Sequence, residues 1–208
     1  MEVGNIVVFE TKKLGDIANI NTGLVVKRKQ AQLSEQVFAN YQMLTLKSFE
    51  QEGWLNVKEL DYFDSIEQLD NKYLTCNGDV VIRLSYPNKS IAINSNNAGI
   101  LIPSLFAVIR LSDNTILPDY LSIYLNSDEM KEFYAKTVIG SAIQIIKTSL
   151  LKEIIVKVPN LETQQKVIEL YTLMRKEKVL LEELMEEKIR YNKTVLRKLI
   201  TGGINSGN

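Results

Sequence analysis

Residues 1–159 are built from short apolar segments, rich in β-branched side chains and broken by Gly, Asn, Asp and Pro; one long periodic segment follows. The first segment, Leu14-Gly15-Asp16-Ile17-Ala18-Asn19-Ile20, predicts a short helical turn ending near Asn21 and Gly23. Residues 41–47 alternate apolar and polar positions as a half-buried strand does. Asp79-Val80-Val81-Ile82-Arg83-Leu84-Ser85 follows the turn pair Asn77-Gly78 and predicts a buried strand. Residues 90–94 and 100–111 predict further strands, the second kinked at Pro103. Leu117-Pro118-Asp119 opens a helix expected to run to about Lys136, with Leu121, Tyr124, Leu125 and Phe133 on or near one face. Residues 153–158 complete this part as a strand stopped by Pro159.

After Pro159 the pattern changes. Asn160 can cap a helix, and Glu162 falls in its first turn, where the helix dipole favours a carboxylate. Neither Pro nor Gly interrupts the chain until Thr201-Gly202-Gly203 ends the helix. About 40 helical residues span about 60 Å, too long for an ordinary globular helix, so the segment is expected to pack outside its own domain. Val167, Leu170, Tyr171, Met174, Leu181, Leu184 and Met185 recur at spacings of three and four, and Val195 and Leu199 resume the stripe. Leu173, Leu180, Ile189, Leu196 and Ile200 widen it, while Lys178, Lys188 and Asn192 interrupt it, so it is no clean zipper. These positions are the expected partner face; the alternative is a helix folded back on its own domain. The predicted class is α+β: a mixed, β-rich globular domain over residues 1–159, one long dimerisation or spacer helix over 160–201, and a flexible tail over 202–208.

Hydrophobic content of 45% with 24% charged residues suits a folded soluble protein. Twenty-five basic residues offset 25 acidic ones, so the whole chain carries no electrostatic footprint for a polyanion, and any nucleic-acid reading rests on local clusters. The single cysteine, Cys76, allows no internal disulfide and suits a reducing compartment; it is expected to be a small core residue. Residues 1–12 lack a basic stretch followed by an apolar one, and no apolar run approaches the roughly 20 residues that span a bilayer. A cytoplasmic protein with no membrane association is expected.

The chemistry of enzymes is thinly represented. There is no histidine, which removes the commonest general base and metal ligand. One cysteine and no histidine leave no structural zinc site within one chain, and Cys76 lacks an imidazole to activate it as a nucleophile. Neither a phosphate-binding P-loop nor a dinucleotide fingerprint occurs. Nothing resembles a methyl-donor loop or the Asn-Pro-Pro-Tyr motif of amino-methyltransferases. Pro118-Asp119 with Glu129-Met130-Lys131 fits the spacing of a PD…ExK nuclease, whose two carboxylates and lysine converge on a divalent cation. Here Glu129-Met130-Lys131 falls in a segment patterned as helix, so Asp119 is expected to be a first-turn residue instead. No catalytic residue, metal or cofactor is expected.

Polar clusters remain. Lys27-Arg28-Lys29 follows Gly23 on an expected exposed loop. Arg83, Ser85, Tyr86, Asn88 and Lys89 fall together between two predicted strands. Asn96 lies in the run Asn94-Ser95-Asn96-Asn97, and Gly140-Ser141-Ala142-Ile143-Gln144 with Lys147 forms another polar loop. Such side chains hydrogen-bond base edges and phosphates, and they equally suit solvated turns. The candidate DNA contacts are Lys27, Arg28, Lys29, Arg83, Ser85, Tyr86, Asn88, Lys89, Asn96, Ser141, Gln144 and Lys147.

Four stretches together resemble the target-recognition domains of type I restriction–modification DNA specificity (S) subunits. They are the opening Leu14 to Ile20 with Thr22-Gly23; Asn77-Gly78-Asp79-Val80-Val81-Ile82-Arg83; and Pro118-Asp119-Tyr120-Leu121 through Gly140-Ser141-Ala142-Ile143-Gln144. The fourth is Leu150-Leu151-Lys152-Glu153-Ile154 through Val158-Pro159-Asn160-Leu161-Glu162-Thr163-Gln164-Gln165-Lys166-Val167. The resemblance covers nearly the whole chain and implies a non-catalytic reader of double-stranded DNA. It would dock adenine methyltransferase (M) subunits, which bind the methyl donor, and recruit a nuclease–translocase (R) subunit. Full-length members resemble two recognition domains, each followed by a long helix, with the helices antiparallel. This chain resembles a half-length form with one domain. A homodimer, or pairing with another half-subunit, would supply the second head, and a homodimer would recognise an interrupted palindrome. Two other readings stand beside it: a scaffold that pairs through its helix without reading DNA, and a PD…ExK nuclease.

Overall fold

The fold is seen in a computed structural model that describes residues 9–50, 53–137 and 145–201. It is α+β, as expected. The chain divides into two compact units: a head, Met1–Ile168, and a helical unit, Glu169–Asn208.

The head is organised by a four-stranded antiparallel sheet. Its strands are β2 (Ala18–Thr22), β7 (Phe106–Leu111), β5 (Asp79–Arg83) and β6 (Ser90–Ala92), side by side in that order. Both faces are covered, which is why β5 and β7 are almost continuously apolar rather than alternating. Val80, Ile82, Ala107 and Ile109 point into one core with Leu14, Ile20, Leu121, Leu125 and Val156. Val81, Phe106 and Val108 point into the other with Leu44, Ile91 and Ile102, where the rings of Phe49 and Phe106 stack at 4.8 Å.

On the first face lie β1 (Glu10–Lys13), paired antiparallel with β8 (Ile155–Val158), and the helices α1 (Leu14–Ile17), α2 (Pro118–Leu125), α3 (Asp128–Thr137) and α4 (Thr148–Glu153). Beyond the second face a ribbon of β3 (Ala39–Met43) and β4 (Asp61–Ser65) carries a third cluster around Leu24, Phe63, Leu69 and Leu101.

Several expected boundaries move. The opening turn is helical only over α1; Ala18–Thr22 is a strand, because Ala18 and Ile20 alternate inward against β7. The strand expected over residues 41–47 is β3, shifted to Ala39–Met43. The helix expected to reach Lys136 is two helices. Asn126 turns its side chain away to the β6 backbone, accepting from Ser90 N at 2.9 Å and donating to Ser90 O at 2.8 Å, and Ser127 starts α3. Asn and Ser compete with a helix for its own backbone groups. Glu153 ends α4 rather than starting a strand.

Cys76 is exposed, not a core residue. Its N–H donates to the buried Asp79 carboxylate at 2.8 Å, in a turn completed by Gly78 at φ +85°, and this directs the thiol outward. Arg110 holds the same carboxylate at 3.1 Å.

α5 (Leu161–Ile200) begins as expected, with Asn160 Oδ1 accepting from Thr163 N at 2.8 Å. Its first turns belong to the head: Gln164 is fully buried, and Val167 and Ile168 pack on the first core. Among the described residues no helix is long and apolar enough to cross a membrane.

Candidate nucleic-acid interface

The antiparallel order brings the C-terminal ends of β2 and β5 together with the N-terminal ends of β6 and β7. The β5–β6 turn therefore lies at the same end of the sheet as the chain leaving β2 through Gly23. At Gly23 the backbone runs so close to its neighbour that an added Cβ would sit 2.3 Å from the carbonyl oxygens of Ile102 and Pro103. Only glycine fits this crossing, which leads directly into Val26–Arg28, a 3-10 turn. Ser85 bridges Ile145, and Ile146 N donates to Leu84 O at 2.8 Å, which brings Lys147 to the same end.

Most of the expected contact residues are gathered in this way. Lys27 and Arg28 are exposed, whereas Lys29 is ion-paired to Glu67 at 2.7 Å. Arg83 is half-buried; its Nη1 donates to Leu46 O at 3.4 Å, and its Nε is buried with no hydrogen-bond partner among the described residues. Tyr86 is 71% exposed, in a turn whose Tyr86–Pro87 peptide is cis.

Asn88 has a different role from the one expected. It is buried, and its amide nitrogen donates to Arg83 O at 3.2 Å and Leu84 O at 3.0 Å, so it shapes the turn from within. Asn96 lies beyond the other end of β6 and is not brought to this cluster. Ser141 and Gln144 lie outside the described residues.

The electrostatics single out Lys89. Burial pushes its pKa down, and the nearby charges of Lys131 and Arg83 push it further, against the opposing pull of Asp128. Burial likewise lowers the pKa of Arg83. A cleft of about 170 Å³ opens here, walled by Tyr86, Pro87, Asn88 and Lys89 from the turn and by Lys131 and Tyr134 from α3. Nothing in the local sequence places Lys131, notable there only for the PD…ExK spacing, or Tyr134 beside this turn, since the fold alone brings α3 to it.

The PD…ExK residues do not converge. Asp119 is in the first turn of α2, Glu129 pairs with Lys157 at 3.2 Å, and Lys131 pairs with Asp128 at 2.6 Å. Among the described residues no group of three or more His, Cys, Asp or Glu could hold a metal ion.

The model of the type I restriction modification DNA specificity domain matches residues 7–188, which takes in the head and most of α5. The chain belongs to this family. Three solved structures share the fold of this specificity domain. The HsdS subunit from Thermoanaerobacter tengcongensis superposes with a TM-score of 0.67 at 12% identity, over 100% of this chain and 54% of that one. A chain from a structure of complex assembly and conformational transition in the type I R-M system gives 0.62 at 16% identity, over 95% and 47%. The type I S subunit from M. genitalium gives 0.56 at 12% identity, over 98% and 49%. The specificity domain thus spans about half the length of these solved chains. No curated protein sequence matches it.

In the helical unit of the specificity domain, Leu170, Met174, Leu181, Leu184 and Met185 are each 57% to 61% exposed, and Leu199 is 73% exposed. Tyr171 and Val195 are half-buried. Val167, expected on the partner face, packs instead on the head's own core.

Proposed function

We propose that this chain is the sequence-reading component of a type I restriction–modification complex and performs no chemistry itself. The observation that carries this reading is the family match over residues 7–188. The arrangement of the head supports it: Lys27, Arg28, Arg83, Ser85, Tyr86, Lys89 and Lys147 share one end of the four-stranded sheet, where a duplex could meet donors and an aromatic ring together. Each head reads one half-site. Adenine methyltransferase subunits dock on the chain, bind the methyl donor and clamp the duplex, and a nuclease–translocase subunit joins them. That division of labour fits a chain of zero net charge, because the partners supply much of the phosphate contact. The setting is cytoplasmic.

The apolar side chains of residues 170–199 are the proposed partner face. A second copy packing antiparallel along them gives a homodimer with two heads, and the paired helices set the spacing of the half-sites. A homodimer then recognises an interrupted palindrome; a different half-subunit on the same face gives an asymmetric target.

The test is to co-express the chain with a cognate methyltransferase and map methylated adenines across the host genome. One interrupted palindromic motif is expected. An asymmetric motif rejects the homodimer while keeping DNA reading. Methylation with no motif, together with no sequence preference in duplex binding, overturns the proposal.

A further inference from the structure

The apolar stripe of α5 carries two charged positions, and their places along the helix are complementary. Alternate steps of four and three run from Leu170 and Met174 through Leu181 and Leu184 to Tyr191 and Val195. The same steps place Glu177 between Met174 and Leu181, and Lys188 between Leu184 and Tyr191. Glu177 and Lys188 are exposed, and of the six apolar side chains only Val195 is not. A charge covered on such a seam costs free energy unless an opposite charge meets it.

That condition selects among the ways in which two copies can pair. In a parallel pair Glu177 faces Glu177 and Lys188 faces Lys188, like against like. In an antiparallel pair one arrangement sets Glu177 against Lys188 twice, once on each side of the two-fold axis. The same arrangement sets Leu181 against Leu184, Met174 against Tyr191 and Leu170 against Val195, so every apolar side chain meets another. A slip of one heptad in either direction destroys the match. Glu177 then meets Leu181 or Val195, and Lys188 meets Leu170 or Leu184. The acidic run beside the axis does not oppose the pairing. Glu182, Glu183 and Glu186 fall on outer positions of the helix, and Glu182 pairs with Lys178 of its own chain at 3.7 Å.

We infer that α5 pairs with α5 of a second copy in this one antiparallel register, locked by Glu177 of each copy against Lys188 of the other. The inference rests on the homodimer reading above and names the residues that set its geometry. A polar pair inside an apolar seam acts here as a ruler, excluding slipped pairings rather than adding much affinity. Glu169 of one copy then lies level with Leu196 of the other, so the two Glu169 residues stand about 27 residues, or about 40 Å, apart along the pair. A slip of one heptad would change that separation by about 10 Å, the length of about three base pairs. Two heads reading half-sites at a fixed spacing cannot tolerate such an error.

Charge reversal in the full-length chain tests the register, with dissociation constants measured by sedimentation and light scattering. Glu177→Lys and Lys188→Glu each put like charges in both pairs and should weaken the dimer at least about 100-fold. Combined in one chain, the two reversals restore both attractions, and the dissociation constant should return to within about tenfold of the wild type. Mixed in equal amounts, the two single variants should form a heterodimer, because one copy then carries two lysines and the other two glutamates. The doubly reversed chain should not pair with the wild type. Lys193→Gln, on an outer position, should change the dissociation constant by less than about threefold. The unfolding curve of Trp54 in the head checks that every variant keeps its fold.

A wild-type chain that stays monomeric at every concentration sinks the homodimer reading and this register with it. A dimeric wild type whose single variants pair as tightly as it does sinks only the register. So does a loss in the single variants that neither the double reversal nor the mixture repairs, since the charges then act without facing each other.

Discussion

Gln164→Leu should destabilise the head by roughly 3 kcal/mol, at about 1 kcal/mol for each neutral hydrogen bond lost. Gln164 is fully buried at the start of α5, where its side chain satisfies three backbone groups. Its Oε1 accepts from Leu117 N at 2.8 Å, and its Nε2 donates to Thr115 O at 2.7 Å and Pro159 O at 2.8 Å. A primary amide can do this because it offers one acceptor and two donors in a fixed fork. Leucine keeps the volume and leaves all three groups buried without partners. For a chain of this size, 3 kcal/mol corresponds to a fall in melting temperature of roughly 6–12 °C. Urea unfolding followed by fluorescence of Trp54, the single tryptophan and a residue of the head, isolates the effect from the helical unit. Lys136→Ala is the control, since it removes an exposed ion pair with Glu132 and should cost under about 0.5 kcal/mol. If Gln164→Leu costs no more than this control, the three contacts do not anchor the helix to the head and the argument fails.

Gly23→Ala places a methyl group against two backbone carbonyls that cannot turn aside; a loss of about 3 kcal/mol in urea unfolding is expected, and tolerance within about 0.5 kcal/mol would contradict the close crossing. Leu181→Asp and Leu184→Asp should each convert the assembled species to monomer in light scattering while leaving the Trp54 unfolding curve of the head unchanged; an intact assembly in both places the partner contact elsewhere. Lys12, beside Asp113 at 2.7 Å, holds the Asp113 carboxyl at about 2, below its ordinary 3.8. A depressed carboxylate pKa means stability that is present above pH 3.8 and lost as pH falls towards 2, so the urea-unfolding midpoint of Asp113→Asn should fall less steeply with pH across that window than that of the wild type. Equal slopes in the two proteins would refute the pairing.

What was legible in the sequence is what local pattern controls. The buried strand β5, Pro118 opening a helix, the Asn160 cap and the full extent of α5 all follow from periodicity and punctuation. The rest depends on partners remote in the chain. Residues 18–20 suit a helix in sequence because a short apolar alternation is ambiguous until β7 lies beside it. The α2–α3 break was hidden because Asn126 and Ser127 tolerate a helix and leave it only when Ser90 is there to bond. Asp79 gave no sign that it would be buried against Arg110, 31 residues on. In the candidate interface, Arg83 and Lys89 stand out as a polar run and Asn88 looks identical to them, while Lys131 stands out only for the PD…ExK spacing and not as a neighbour of that turn. A polar side chain in a turn looks the same in sequence whether it faces solvent or holds the turn together.

The two units meet different demands, and the energetics show why one chain carries both. On the proposed reading, a head that reads bases needs a rigid frame; the sheet buried on both faces would supply it, with the candidate base-contacting groups on the turns at one end. A single half-site offers few base pairs, and each mismatch costs only about 1–3 kcal/mol, so one head alone discriminates poorly across a genome. Coupling two heads multiplies the discrimination, provided that the coupling is stable. Leu170, Met174, Leu181, Leu184 and Met185 supply five large apolar side chains per copy, each more than half exposed. If pairing recovers about 1 kcal/mol from each, below the 1.5–3 kcal/mol of complete burial, two copies gain about 10 kcal/mol. Association costs of about 4–15 kcal/mol absorb much or all of that. The helical face alone therefore sits near the threshold for pairing, so if the chain pairs and docks methyltransferases as proposed, those partners and a bound duplex should strengthen the dimer measurably. A dimer whose dissociation constant is unmoved by either would show that the helix is sufficient and that the heads are not energetically coupled through DNA.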